Sequence, residues 1–195
     1  MVLKNPTKYE IGKTIVFFVR HGDRIHIPGT PPPHDFSLSK KGLSQAKNVA
    51  NKFYKIRDEI DAIYSSDMKR AKETAQFIAK KINKKVKIIP EFRELENQLE
   101  RKKLKRFLDK NYWKEYLKFN KSLKKLDKIL EKEKGKVIII VAHGRIMRSW
   151  IFGKLGLSMY KRQAFEYHNC HISRIRFDGK RLNFIHYFNS KELIH

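Results

Sequence analysis

The sequence predicts an α/β fold, a three-layer α/β/α sandwich around a mostly parallel sheet, and three observations carry that expectation. Short apolar runs, "TIVFFV", "DAIYSS", "VKIIP" and "KVIIIVA", alternate with stretches of helical apolar spacing. The run "KVIIIVA" is apolar without alternation, as in a strand buried on both faces of a parallel sheet. Near the end, "CHISRIRF" and "RLNFIHYF" flank Asp178-Gly179, a strong hairpin signal that places a two-stranded edge on the sheet. With 195 residues, the chain suits one domain spanning 1–195.

Each element has its own signal. Residues 14–19 read as a strand that ends on Arg20-His21-Gly22. Residues 25–36, "IHIPGTPPPHDF", read as a loop, because consecutive prolines exclude helix. Ser39 is placed to N-cap a helix with Leu43, Ala46, Val49, Ala50 and Phe53 on one face. "DAIYSS" (61–66) is a short strand, and Ser66 or Asp67 would cap the next helix, whose apolar face is Ala71, Thr74, Ala75, Ile78 and Ile82. "VKIIP" (86–90) is a third strand. The pattern over 100–134 is helical and basic, with Tyr116, Phe119, Leu123, Leu126 and Leu130 three and four apart. We expect a helical insertion or cap at about 97–134. After "KVIIIVA", a helix is predicted from Gly144 to about Leu155.

Bulk composition narrows the classes. The single cysteine, Cys170, excludes an internal disulfide framework and a cysteine-based zinc site. No apolar run reaches the roughly 18 residues of a membrane span, and "MVLKNPTKYEIGK" lacks a signal-peptide core. The expectation is a soluble, cytoplasmic protein with no membrane partner. The net charge is +25, with lysines spread between apolar residues at helical spacing. Solvated helix faces account for that pattern. Such a field still attracts polyanions, so non-specific polyanion binding is a second expectation. No pattern sets an oligomeric state.

The chemistry concentrates at two strand ends. "VFFVRHGDR" and "VIIIVAHGR" both run an apolar strand into His-Gly. In open α/β sheets, ligands bind beyond the carboxyl ends of the strands. If the two strands are neighbours, His21 and His143 lie side by side there. Gly22 and Gly144 would let the chain turn and expose backbone N–H groups, and the helix after Gly144 would aim its positive end at the same place. Arg20 supplies a planar fork suited to phosphate oxygens. Arg70, in the first turn of its helix, could supply a second. Such a pocket suits a dianion, and no paired-ligand spacing around either histidine calls for a metal.

Taken in order, "VRHG", "SLSKKGLSQA", "IYSSDMKRAKETA", "FREL" and "VAHGRIMRSW" resemble the successive motifs of the histidine phosphatase superfamily, also called phosphoglycerate mutase-like. The closing "NCHISRIRFDGKRLNFIHYFNSKEL" also resembles that family's final hairpin. The resemblance implies a metal-independent phosphatase that hydrolyses phosphate monoesters without a cofactor. His21 would be the nucleophile that becomes phosphohistidine, with Arg20, Arg70, His143 and the Gly144 turn holding the phosphate. Glu94, in "FREL", falls where the family often keeps its proton donor. Because "ELENQLERKK" lacks the glycine the family pattern carries there, Glu91, Glu96 and Glu100 stand as alternatives. Arg24 and His26 lie just beyond the nucleophile, where relatives contact substrate. The expected partner is a small phosphorylated substrate. Two other functions compete: a cofactor-dependent phosphoglycerate mutase, and a basic nucleic-acid-associated protein on a phosphatase fold.

Overall fold

A computed structural model describes residues 10–29, 35–95, 110–157 and 166–193. Strand β1 (Thr14–Arg20) lies at the middle of the sheet because its side chains are apolar on both faces. It pairs in parallel with β4 (Val137–Ala142), which pairs in parallel with β2 (Ala62–Ser65), and β2 in turn pairs with β3 (Val86–Ile88). On the other side, β5 (Ile172–Asp178) runs antiparallel to β1 and turns at Gly179 (φ +54) into the edge strand β6 (Arg181–Ser190). The six-stranded order is β3-β2-β4-β1-β5-β6.

The period of two along β1 sorts the core into two layers. Ile15, Phe17 and Val19 face α1 (Lys40–Tyr54) and α2 (Lys69–Ile82), meeting Val49, Phe53, Ala75 and Ile78. Val16 and Phe18 face the other way, toward α3 (Lys110–Lys132) and α4 (Gly144–Lys154), through Leu126, Leu130, Met147 and Trp150. The expected α/β/α sandwich is therefore present. Of the stretch expected as an insertion, 97–109 lies outside the described residues, while α3 forms part of the second helical layer.

Some local expectations give way. Ser39 does cap α1, its hydroxyl accepting from Gly42 N–H, but Leu43 is 38% exposed because the helix rests on its 46/49/50/53 face. The N-cap of α2 is Met68, neither Ser66 nor Asp67; the Ser66 hydroxyl instead accepts from Met68 N–H at 3.3 Å. Only 86–88 of the third strand pairs, since Pro90 opens a short 3-10 turn over Pro90–Phe92. Tyr116 sits at the margin of its helix face, 36% exposed. Among the described residues, no helix is long and apolar enough to cross a membrane.

Candidate active site

Because β1 and β4 are neighbours in register, with Arg20 opposite Ala142, the residues that follow them arrive together. The rings of His21 and His143 stand 5.1 Å apart, both buried. His21 Nδ1 lies 2.7 Å from its neighbour's carbonyl, Gly22 O. A carbonyl can only accept, so Nδ1 carries the proton and Nε2 keeps its lone pair. Arg70 Nε–H donates to that Nε2 at 3.1 Å, which brings α2's first turn onto the same point. His143 Nε2 meets the Ser66 hydroxyl at 2.9 Å, at the end of β2. Its Nδ1 is buried with no hydrogen-bond partner, as are Arg20 Nε and Arg24 Nη1.

The electrostatics favour an anion. Burial, then Arg70 and Arg20, hold the His21 imidazole well below its ordinary range, and Arg24 adds to the effect. Burial, His21 and the two arginines do the same to His143, so both rings are neutral near pH 7. Arg20 and Arg70 are themselves depressed by burial, and Glu94 is the strongest of the charges that act against that depression in each. Arg20 also feels the repulsion of Arg145 and Arg148, and Arg70 that of Arg24. Leaving a buried donor unpaired costs about 1–3 kcal/mol. Two such donors, on Arg20 and Arg24, and an unpartnered imidazole nitrogen around one positive cleft fit a multiply charged oxyanion.

Glu94 reaches the cleft from the other side. Its Oε1 accepts from Ile146 N–H at 3.2 Å and from Leu95 N–H at 3.1 Å, and Oε2 lies 3.5 Å from Arg145 N. The carboxylate thus sits on the N-terminus of α4, where the backbone dipoles favour negative charge. Of the alternatives, Glu91 is drawn toward Lys125 at 3.9 Å, and Glu96 and Glu100 lie outside the described residues.

The remaining expected residues separate. Gly144 is the first residue of α4 and packs beside the Arg20 side chain. Arg24 lies near enough to repel charge on both His21 and Arg70. His26 lies exposed on the loop. The expectation that Gly22 offers its N–H to a ligand fails: Thr74 Oγ1 takes it at 3.0 Å. Gly22 is needed for a different reason, since a Cβ there would meet Gly42 O at 2.7 Å and one on Gly42 would meet Asp23 O at 1.9 Å.

Several supporting residues carry no signal in the sequence. Thr74 reads as part of the α2 core face and Ser66 as a cap, and Asn169 stands only within the closing hairpin motif. Yet the Asn169 amide donates to His21 O at 2.9 Å, and Cys170 N–H donates to Arg20 O at 2.9 Å from a left-handed turn (φ 56). Arg20 itself donates to Tyr167 O.

Two imidazoles and two guanidinium groups thus gather at the carboxyl edge of an α/β sheet, an arrangement suited to holding a phosphoryl group. The sequence profile of the histidine phosphatase superfamily (branch 1) matches residues 16–126 and 119–190, and the chain belongs to that family. It is a phosphatase by that membership. A metal-independent phosphoserine phosphatase of Arabidopsis thaliana is 30% identical, over 73% of this chain and 69% of its own. Entamoeba histolytica phosphoserine phosphatase, solved with 3-phosphoglyceric acid, superposes with a TM-score of 0.67 at 24% identity, covering 91% of this chain and 97% of that one. A mycobacterial glucosyl-3-phosphoglycerate phosphatase gives a TM-score of 0.71 at 19% identity, covering 91% and 99%. At those identities the two structures speak to the fold.

Proposed function

We propose that the chain hydrolyses phosphate monoesters through a phosphohistidine on His21, acting on a small substrate that carries a second negative group. The observation that carries this reading is the tautomer of His21: Nδ1–H is tied to Gly22 O, and Nε2 faces Arg70. A neutral imidazole can attack phosphorus when cations neutralise the phosphate oxygens. As the dianion enters, the Arg70 fork moves from Nε2 to an oxygen, which frees the lone pair. Arg20 Nε and His143 Nδ1 take further oxygens and satisfy their unpaired donors. The N–P bond forms as the ester P–O bond breaks, and the leaving alkoxide needs a proton. Glu94, which takes up a proton as the phosphate dianion comes to lie beside it, supplies it as the carboxylic acid, then as carboxylate takes a proton from the water that discharges the phosphohistidine. No step in this sequence uses a metal.

The second negative group is supported by the surplus of cations. Arg24 Nη1 is buried and unpaired beside the cleft, and Arg145 and Arg148 add charge from α4. A carboxylate on the substrate would meet them. The Arabidopsis relative named for phosphoserine, a phosphate ester with a carboxylate, points the same way.

Brief exposure to labelled phosphoserine, followed by quenching, tests the reading. It predicts an acid-labile, base-stable phosphoryl group on the protein, absent from His21→Ala. A His21→Ala protein with full turnover would overturn it. Exhaustive chelation is expected to leave turnover unchanged.

A further inference from the structure

A second concavity lies behind His21. A groove of about 420 Å³ runs between α1 and the segment entering β5, lined also by residues that follow β6. That volume falls in the range of small-molecule sites. One wall is a single face of α1, where Gln45, Asn48, Lys52 and Lys55 recur three and four apart. The other wall carries Asn169 and, past the edge strand, Lys191 and Glu192. The lining thus holds three lysines and one glutamate. Lys52 is anchored, donating to Lys191 O and pairing with Glu192 at 2.9 Å, and its side chain is 22% exposed. Lys55 and Lys191 are exposed. Amide side chains fill the space between the charges and can donate to oxygen without a charge of their own.

What distinguishes this groove from other basic surface is the backbone that one side chain from each wall holds. Gln45 Oε1 accepts from Asp23 N–H at 2.8 Å, and Asn169 Nδ2 donates to His21 O at 2.9 Å. Two of the groove's side chains thus hold the backbone on either side of the His21-Gly22 junction. A ligand that engages either amide must pull on the loop that aims His21.

We propose that this groove binds a small phosphate-bearing polyanion, and that its occupancy is transmitted to His21 through Gln45 and Asn169. The binding half stands on the groove alone; the transmission half rests on His21 being the nucleophile. The coupling is reciprocal: whatever the effector does to binding in the cleft, cleft ligands do to the effector.

Pyrophosphate is the probe, titrated calorimetrically into the full chain at low salt. Two binding events are expected, one in the catalytic cleft and one in the groove. Arg70→Ala should remove the first and leave the second. Lys55→Glu with Lys191→Glu should weaken the second at least tenfold and leave the first. A control pair with the same charge change on α3, Lys114→Glu with Lys121→Glu, should leave both. A single event lost with Arg70→Ala overturns the site, as does equal weakening by the control pair. In the Arg70→Ala protein, the Asn169 side-chain amide and the Asp23 N–H should shift in nitrogen-edited spectra as the groove fills. Binding without those shifts would overturn the transmission. Because these arms read binding and spectra, they report on the groove even if the phosphohistidine reading fails.

Discussion

The two His-Gly junctions look alike in sequence, and the fold uses them differently. After β4 the chain enters α4 at once, so His143-Gly144 delivers the positive end of a helix to the cleft. After β1 it makes a loop in which Arg24 bridges to Leu38 before α1 begins at Lys40. The glycines differ accordingly. A Cβ on Gly144 would make only ordinary contacts, at 3.5 Å from the Arg20 side chain, whereas one on Gly22 would strike the Gly42 backbone. The histidines differ as well. His21 is tied through Nδ1 and presents Nε2, while His143 is tied through Nε2 to Ser66 and presents Nδ1. One junction fixes the Nε2 lone pair that we propose as the attacking atom, and the other brings a helix N-terminus and a second neutral ring beside it.

That contrast makes mutational predictions, the largest first. His21→Ala should lower kcat by about four orders of magnitude or more, as removal of a covalent nucleophile does. His143→Ala should cost about two to three orders, the usual loss for one oxyanion-stabilising donor. Steady-state assays on an alkyl phosphate check both, and equal losses would erase the distinction between the junctions.

Glu94 approaches from the α4 side, so its effect should depend on the leaving group. Glu94→Gln should slow alkyl phosphates by about two to four orders of magnitude, the range for general acid catalysis. Nitrophenyl phosphate, whose leaving group barely needs a proton, should suffer much less. Equal losses on both would assign Glu94 a structural role as the cap of α4.

The glycines separate by stability. Gly22→Ala should destabilise the fold by about 1–3 kcal/mol, the cost of overpacking against backbone that cannot move away. Gly144→Ala, at the first position of a helix, should change stability by less than about 1 kcal/mol. Chemical denaturation measures both, and a benign Gly22→Ala would refute the loop-to-helix contact.

The smallest expected effect is on pH. His21 and His143 titrate well below their ordinary range in the fold but near pH 6.5 when unfolded. Below about pH 6.5 the unfolded chain therefore binds more protons than the folded one, and stability falls as pH falls. His186, which burial and Arg174 lower to about 4, adds to the same slope. Replacing His21 and His143 with glutamine should flatten the decline between about pH 6.5 and 5. An unchanged slope would mean that the two rings are not held neutral.

What was legible in the sequence follows the same division between local pattern and distant contact. The strand β4 announced itself because burial on both faces removes alternation, and His21, His143, Arg20 and Arg70 were found because each abuts the end of an element. The pairing of β1 with β4 was a supposition until the register placed Arg20 beside Ala142. Thr74, Ser66 and Asn169 were missed as partners because single hydroxyls and amides act across 52, 77 and 148 residues of chain. Nothing in a linear pattern distinguishes them from ordinary caps and core positions. Gly42 was read only within a helix start, since its close approach to Asp23 exists only in the folded molecule.

Cys170 has a consequence for how such an enzyme weathers its surroundings. Its backbone braces Arg20, while burial pushes its thiol up to about 12. Thiolate is the form that peroxides and alkylating reagents attack, and at neutral pH this side chain offers almost none of it. A phosphatase built on a thiolate nucleophile is silenced by an oxidative burst. With the chemistry on imidazole, as proposed, this protein's one thiol is a bystander that burial keeps protonated. Its turnover should therefore resist peroxide and thiol-alkylating reagents that silence a thiolate-dependent phosphatase.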